Sequence, residues 1–389
     1  MGLFLDALGG MGRPLRLLFF VSPELTGRSH LIEEAQQRYS KRFGVPVSVT
    51  LCPWKSERTA RGIVARYVRP ALSVSRQELF KQLVGEPQLS AIRTELRARP
   101  ACVFAHKLHV MHALRQASAN LPTTFMDMDD VEHKRVAREI AAPPHWGSKP
   151  MLYGQLPALV LCERSAVKST AASFVCSKVD RDHLTRWLRL PRVEVVPNVV
   201  TMPPEGEASQ PSKTILFVGT FTYRPNVEAA KRLAFEILPK VSNRVPDARV
   251  VLVGARPENV RAEIGDVPGV TLAGFVDDIA ACYRQAALVC CPITSGSGTR
   301  IKIIEAAAYE LPIVSTSIGA EGLDFEEGQE IVLRDSAAHI ADACVSLLQD
   351  PARRRAMGAA ARRKAAQLYD REAVIRKVRK RLLAGLSPS

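Results

Sequence analysis

The stretch Thr294-Ser-Gly-Ser-Gly-Thr-Arg-Ile-Lys-Ile-Ile-Glu305 follows a short apolar run, 288–291, that closes on Cys291-Pro292. A buried run of four, a turn of small residues and a helix-periodic segment together read as a parallel strand feeding a helix. Gly296 and Gly298 let backbone amides approach a ligand closely. The next helix adds unpaired N–H groups and the positive end of its dipole. Arg300 and Lys302 stand in that first turn, where cations oppose the dipole and Asp or Glu is preferred. An anion between them removes the conflict, so the stretch predicts a phosphate site. Glu305 falls on the face of Lys302 and has two readings. One is an intrahelical ion pair worth a few tenths of a kcal/mol. The other is a carboxylate accepting hydrogen bonds from ribose hydroxyls beside the phosphates.

Working outward, strand-like runs at 215–218, 250–253, 270–272, 313–315 and 330–333 each precede a helical segment. A second glycine turn, Phe217-Val-Gly-Thr-Phe-Thr-Tyr-Arg-Pro-Asn226, follows the first of them. Gly219 would allow close approach there, and Asn226 is placed to cap a helix beginning near Val227. Val253-Gly254 and Gly274-Phe275-Val276 are further strand-end loops, where ligands of open α/β sheets collect. The first half alternates in the same way, with strands at 15–22, 45–51, 101–105, 123–126, 173–176 and 193–196 and a helix over 31–43. The fold class is therefore α/β, two doubly wound domains over 1–199 and 200–369, joined by the Pro- and Gly-rich segment 198–213. Two basic helical segments, 351–368 and 371–383, end the chain.

The 389 residues suffice for two cores, and 47% apolar with 24% charged residues excludes collagen-like and mainly disordered chains. No apolar run reaches a membrane-spanning length. Cys52, Cys102, Cys162, Cys176, Cys282, Cys290, Cys291 and Cys344 form no CxxC, so a zinc site or a disulfide framework is not expected and a reducing cytoplasm is. The net charge of +15 is uneven: 29 Lys/Arg against 17 Asp/Glu in 1–200, 13 against 20 in 201–350, and 12 against 2 in 351–389. A basic first half and tail suit an anionic membrane or an acidic glycan. No nucleic-acid motif accompanies the charge, so nucleic acid is not expected. In 58–83, Arg58, Arg61, Arg66, Arg69, Arg76 and Lys81 alternate with apolar residues. That pattern fits an interfacial helix or an ordinary amphipathic surface helix.

Phe217-Val-Gly with Arg224-Pro-Asn, Leu252-Val-Gly254, Gly274-Phe-Val276, Gly298-Thr-Arg-Ile-Lys-Ile-Ile-Glu-Ala306, Leu311-Pro-Ile-Val-Ser-Thr316 and Gly319-Ala-Glu-Gly-Leu323 together resemble the donor domain of GT-B glycosyltransferases of family 4. The resemblance covers 215–369, and Phe174-Val-Cys-Ser177 and Val195-Val-Pro-Asn198 extend it toward the first half. It implies a retaining, metal-independent transfer from a UDP- or GDP-sugar, in a cleft between two Rossmann-like domains, with no bound cofactor. It also implies that residues 370–389 cross back to the first domain.

Carried over by position, Glu305 matches the ribose-binding glutamate, Gly298, Thr299, Arg300 and Lys302 would hold the diphosphate, and Phe275 and Val276 match the loop beside the base. Gly219, Thr220, Arg224 and Gly254 join them as expected donor contacts. Two departures stand out. Ser297 occupies the first position of the family's Glu-x7-Glu pattern, and Thr220 the place of a frequent Arg, whose charge Arg300 and Lys302 would supply. Asp127 stands where relatives place a His that touches the donor sugar, which gives it a reaction-centre role or, with Asp129, Asp130 and Arg135, a capping and ion-pairing one. Gly27 and Arg28, in a shortened glycine loop, and His106 and His109, at a strand end, are the acceptor-side candidates. Asp127-Met-Asp129 mimics a metal-binding DxD but lies in the first half, away from the phosphate motif, so no metal is expected. The sequence thus favours a transferase making surface glycans or glycoconjugates from a glycan or lipid-linked acceptor, peripheral on the inner membrane face. A nucleotide-sugar epimerase and a non-catalytic sugar- or nucleotide-binding subunit are its rivals.

Overall fold

The computed structural model describes residues 2–25, 29–53, 84–141, 149–204, 212–296 and 298–386. Two compact units emerge, one of Met1–Val196 with Ile375–Ser389 and the other of Pro197–Val374.

Among the described residues of the first unit the strands run parallel in two ladders. β1 (Leu15–Val21) pairs with β2 (Val47–Pro53), and β3 (Cys102–His106), β4 (Thr123–Asp127), β5 (Ala172–Val175) and β6 (Val193–Val195) pair in chain order. A cavity of about 600 Å3 is lined by both ladders, through Leu17 and Phe19 on one and Val103 and Phe104 on the other. β5 is buried at every position, and its one polar side chain, Ser173, is hydrogen-bonded to the Thr170 hydroxyl at 2.8 Å. A helix the sequence reading did not anticipate, Gly2–Gly9, contributes Leu3, Phe4 and Ala7 to the core, and Phe4 meets Phe104 and Phe174 at ring distances of 4.7 and 5.4 Å. The end of the last helix, Arg371–Ala384, belongs here too: Arg381 Nε donates to Glu194 Oε1 at 2.5 Å.

The described residues of the second unit form one six-stranded parallel sheet. β7 (Thr214–Val218), β8 (Arg249–Val253), β9 (Val270–Gly274), β10 (Leu288–Cys291), β11 (Ile313–Ser315) and β12 (Val332–Leu333) lie in the order β12-β11-β10-β7-β8-β9. Read from the other edge this is 3-2-1-4-5-6, the order of a dinucleotide-type doubly wound sheet. β7 and β10 are neighbours whose chains depart in opposite directions, so the loops after them flank the switch-point crevice where such sheets bind ligands. Both glycine turns of the sequence follow these two strands. Among the described residues no helix is long and apolar enough to cross a membrane.

Candidate functional site

Glycine backbone shapes the floor of the crevice. Gly219 N–H donates to the Val253 carbonyl at 2.9 Å, and Gly254 N–H to the Gly274 carbonyl at 2.8 Å, which ties the ends of β7, β8 and β9 together. Gly254 has φ +147°, and a Cβ there would run into the Gly219 carbonyl. A Cβ on Gly219 would lie 2.9 Å from Lys302 Nζ and 2.8 Å from the Asn226 amide. The strand ends approach this closely because these positions carry no side chain.

Around that floor stand the polar groups. Gly296 and Gly298 take φ +98° and +77° in the loop after β10, so both glycines of the motif serve the turn. The helix Ile301–Ala308 then starts at Arg300 without a side-chain cap and without an acidic residue in its first turn. Its leading amides and dipole end are left to an anion. Lys302, half-buried, donates from Nζ to Asn226 Oδ1 at 2.8 Å and lies 4.0 Å from the centre of the Phe217 ring. Burial pulls its ammonium down to about 8. Glu305 Oε2 accepts from the hydroxyl of fully buried Tyr283 at 2.7 Å, and Tyr283 stacks on Tyr309 at 4.9 Å. Burial, then Glu305, holds the Tyr283 phenol well above its ordinary range, so it stays a donor. The Lys302–Glu305 ion pair offered by the sequence is therefore not the arrangement adopted. Each side chain is held by a partner from another element, Asn226 and Tyr283, which leaves the second Glu305 oxygen to receive a ligand.

Other expected contacts are placed as follows. Arg300, 8% exposed, turns its guanidinium back into the loop, donating to the carbonyls of Gly298 at 2.5 Å and Ser295 at 3.2 Å. Thr299 Oγ1 accepts from Asn198 Nδ2 at 2.7 Å. Asn226 does not cap its helix. That helix is Arg224–Arg232, and the Asn226 side chain bridges the Thr220 carbonyl at 2.9 Å and Lys302. Arg224 points outward into ion pairs with Glu263 and Glu228. Phe275 is 74% exposed at the end of β9, with Val276 half-buried beside it. Ser297, Gly27, Arg28 and the segment 58–83 lie outside the described residues. Tyr283 carried no motif that would have singled it out.

In the first unit, β3 and β4 align His106 with Asp127 in register, and Nδ1 of the ring lies 2.9 Å from Asp127 Oδ2. Lys107 Nζ pairs with Asp129 Oδ2 at 3.1 Å. His109 lies in the first turn of the next helix, Leu108–Ala117, and burial, then Lys107, pushes its imidazole below the usual range. Burial, then Asp129 and Glu132, raises Asp130. Arg135 pairs with Glu132 and Glu139 rather than with the aspartates. Elsewhere in this unit Glu163, fully buried, holds His133, whose Nε2 lies 2.7 Å from His183 Nε2. Among the described residues no three His, Cys, Asp or Glu side chains are grouped to hold a metal ion.

Residues 212–350 match the family model of glycosyl transferases group 1. A phosphatidyl-myo-inositol mannosyltransferase of Mycolicibacterium smegmatis is 31% identical over 144 residues, 36% of this chain and 36% of that protein. Its counterpart in Mycobacterium leprae is 32% identical over 166 residues, 41% and 43% of the two chains. The chain thus spans less than half the length of these relatives. Among solved structures, sucrose-phosphate synthase from Thermosynechococcus elongatus superposes with a TM-score of 0.63 at 17% identity, over 96% of this chain and 99% of that one. Anabaena Alr3699/HepE, solved in complex with UDP, gives 0.62 at 12% identity, over 96% and 100%. Residues 212–350 accordingly form a domain of the glycosyl transferases group 1 family, within a chain that has the GT-B fold of its solved neighbours.

Proposed function

We propose that this chain is a retaining glycosyltransferase that moves a hexosyl group from a UDP- or GDP-sugar to a glycan or lipid-linked acceptor in the synthesis of surface glycans or glycoconjugates. The observation that carries the reading is the grouping at the β7/β10 switch point of Gly219, Lys302, Glu305 and the uncapped helix start at Arg300. That set offers a carboxylate for ribose and cations with backbone amides for a diphosphate. The names of the mannosyltransferase relatives favour a hexosyl donor and a lipid-linked acceptor, and HepE, solved with UDP and with UDP-glucose, favours uridine. The basic first half and tail suit work at the cytoplasmic face of an anionic membrane.

Retention follows from a front-face displacement. The bond from the anomeric carbon to the acceptor oxygen forms on the face from which the diphosphate oxygen leaves, and the acceptor proton passes to that departing oxygen. Leaving-group stabilisation by Lys302, the helix amides and the loop that Arg300 braces then supplies most of the rate, with no metal required. Incubation with UDP-glucose or GDP-mannose should release the matching nucleoside diphosphate in undiminished amount with EDTA present. NMR of the first-formed sugar product should show the donor's anomeric configuration; inversion would reject the displacement described.

Lys302 makes the site pH-sensitive with a defined sign. Its ammonium is charged below about 8, so affinity for a nucleoside diphosphate should be flat up to that pH and then weaken about tenfold per unit above it. Stability moves the other way. The folded pKa lies below the ordinary lysine value, so the unfolded chain holds the extra proton above pH 8 and this group's cost to folding is relieved as pH rises toward about 10.4. Calorimetric titration with UDP and GDP between pH 6.5 and 9.5 checks the first, and Lys302→Met should bind weakly with no such slope.

A further inference from the structure

We propose that the helical run 178–187 and the turn after it form a surface that docks on an anionic phospholipid bilayer, with Trp187 as the interfacial anchor and Arg186, Arg189 and Arg192 as the headgroup contacts. The proposal rests on the reading of this chain as one that works at a membrane and gives that reading a location. Every residue it uses belongs to the first unit.

Trp187 is 81% exposed, more than any other large apolar side chain among the described residues. It is not a loose end. It closes the helical run formed by Lys178–Asp182 and His183–Trp187, from which Leu184 is wholly buried in the core. The chain then turns back at once. Leu190 N–H donates to the Leu184 carbonyl at 3.1 Å, Leu190 is itself buried, and Ser173 N–H donates to the Arg192 carbonyl at 2.9 Å. The backbone on both sides of the indole is therefore pinned while the ring stands in water. Val179, two turns earlier on the same run, is 44% exposed. A single exposed apolar residue needs no explanation. Its charged neighbours give this one a use.

Lys178, Arg181, Arg186, Arg189 and Arg192 fall within fifteen residues, and all but Arg181 are exposed. The two acids of the segment do not balance them. Asp180 is buried and engaged by Ser177 and Lys134, and Asp182 is shared by Arg181 at 2.7 Å and Arg186 at 3.8 Å. The backbone gives an independent sign. Arg189 and Arg192 have φ 51° and 63°, left-handed positions that glycine occupies without strain. A long cation stands at both, so the conformational cost is carried twice within five residues of the exposed indole. Trp187 flanked by these guanidinium groups has the chemistry of a bilayer interface, where the amphipathic ring sits at headgroup depth and the cations meet lipid phosphates. The buried core of a protein–protein patch is more apolar than this.

The test is flotation of the full chain with phosphatidylcholine vesicles, with and without phosphatidylserine, over a range of salt. The wild type should bind the serine-containing vesicles far better than the neutral ones and lose that preference as salt screens the charge. Trp187→Ser should bind about tenfold more weakly. Arg189→Gly combined with Arg192→Gly should bind about 25-fold more weakly, about fivefold for each cation removed. The melting temperature of that double variant should stay level or rise, because glycine relieves both left-handed positions, so a loss of binding cannot be a loss of fold. Brominated acyl chains in the vesicles should quench the tryptophan fluorescence of the wild type more strongly than that of Trp187→Phe. Failure of the wild type to bind serine-containing vesicles, binding by both weakened variants within about twofold of wild type, or equal quenching in Trp187→Phe overturns the proposal. Preference for a single-stranded oligonucleotide over the vesicles, lost in the same variants, would assign the surface to nucleic acid and overturns it too. All variants should keep the wild-type stabilisation by a nucleoside diphosphate measured without vesicles. Absence of that stabilisation in the wild type ends the transferase reading and leaves the vesicle result to decide the docking surface by itself.

Discussion

Replacing Arg300 by Ala is expected to reduce donor turnover by about 10²–10³-fold, the scale of losing one preorganised group that stabilises developing charge. The guanidinium is almost wholly buried and spans the loop from the Ser295 carbonyl to the Gly298 carbonyl, across both positive-φ glycines. Its removal leaves two carbonyls unpaired beside the start of the Ile301–Ala308 helix, where a diphosphate needs donors and positive charge. The loop then loses its shape and the site its charge together. Arg300→Lys should recover little, because a single ammonium does not reproduce a fork that reaches two carbonyls at once. Steady-state kinetics on the variants, with melting temperatures as the fold control, measure this. Turnover within a few-fold of wild type in Arg300→Ala would remove Arg300 from the site.

Gly254→Ala carries the largest expected cost to folding, about 3–4 kcal/mol in the second unit. Its φ of +147° disfavours any L side chain, and the new methyl would strike the Gly219 carbonyl, which is backbone. Neither chain can yield cheaply, since Gly219 and Gly254 are both tied into the strand ends by 2.9 and 2.8 Å hydrogen bonds. Gly265→Ala is the control: it also has positive φ, +63°, but open space around it, so only the left-handed penalty of about 1 kcal/mol applies. Circular dichroism or calorimetry must be the probe, because Trp54, Trp146 and Trp187 all lie in residues of the first unit. Equal costs for the two substitutions would mean that the close approach of β7 and β8 contributes nothing.

Much of this was legible because parallel strands announce themselves as short apolar runs stopped by glycine. The reading of 288–291 and the glycine turn after it placed the loop, the helix start, Arg300, Lys302 and Glu305 on adjoining elements, and β10 and its helix lie where that reading put them. Partnerships between distant segments were not legible. Glu305 is held by Tyr283, 22 residues earlier, on a helix without a motif. Lys302 is held by Asn226, 76 residues away, whose position suggested a cap. Arg224 looked like a ligand contact from its loop alone, yet Glu263 engages it from 39 residues on. The pairing of His106 with Asp127 depends on strand register, which spacing along the chain does not reveal. The helix Gly2–Gly9 escaped notice because its short apolar segment lacks the length that separates helix from strand.

The most direct test of the central claim is thermal unfolding of the purified chain with UDP, GDP, ADP and CMP, each with and without EDTA, in wild type and Glu305→Ala. The switch-point site predicts that one nucleoside diphosphate, at about 100 times its Kd, adds about 2.7 kcal/mol of stability. The gain should be the same with EDTA and absent in Glu305→Ala. No stabilisation by any nucleotide, or an equal gain in the variant, would contradict a nucleotide-sugar site built on Lys302 and Glu305.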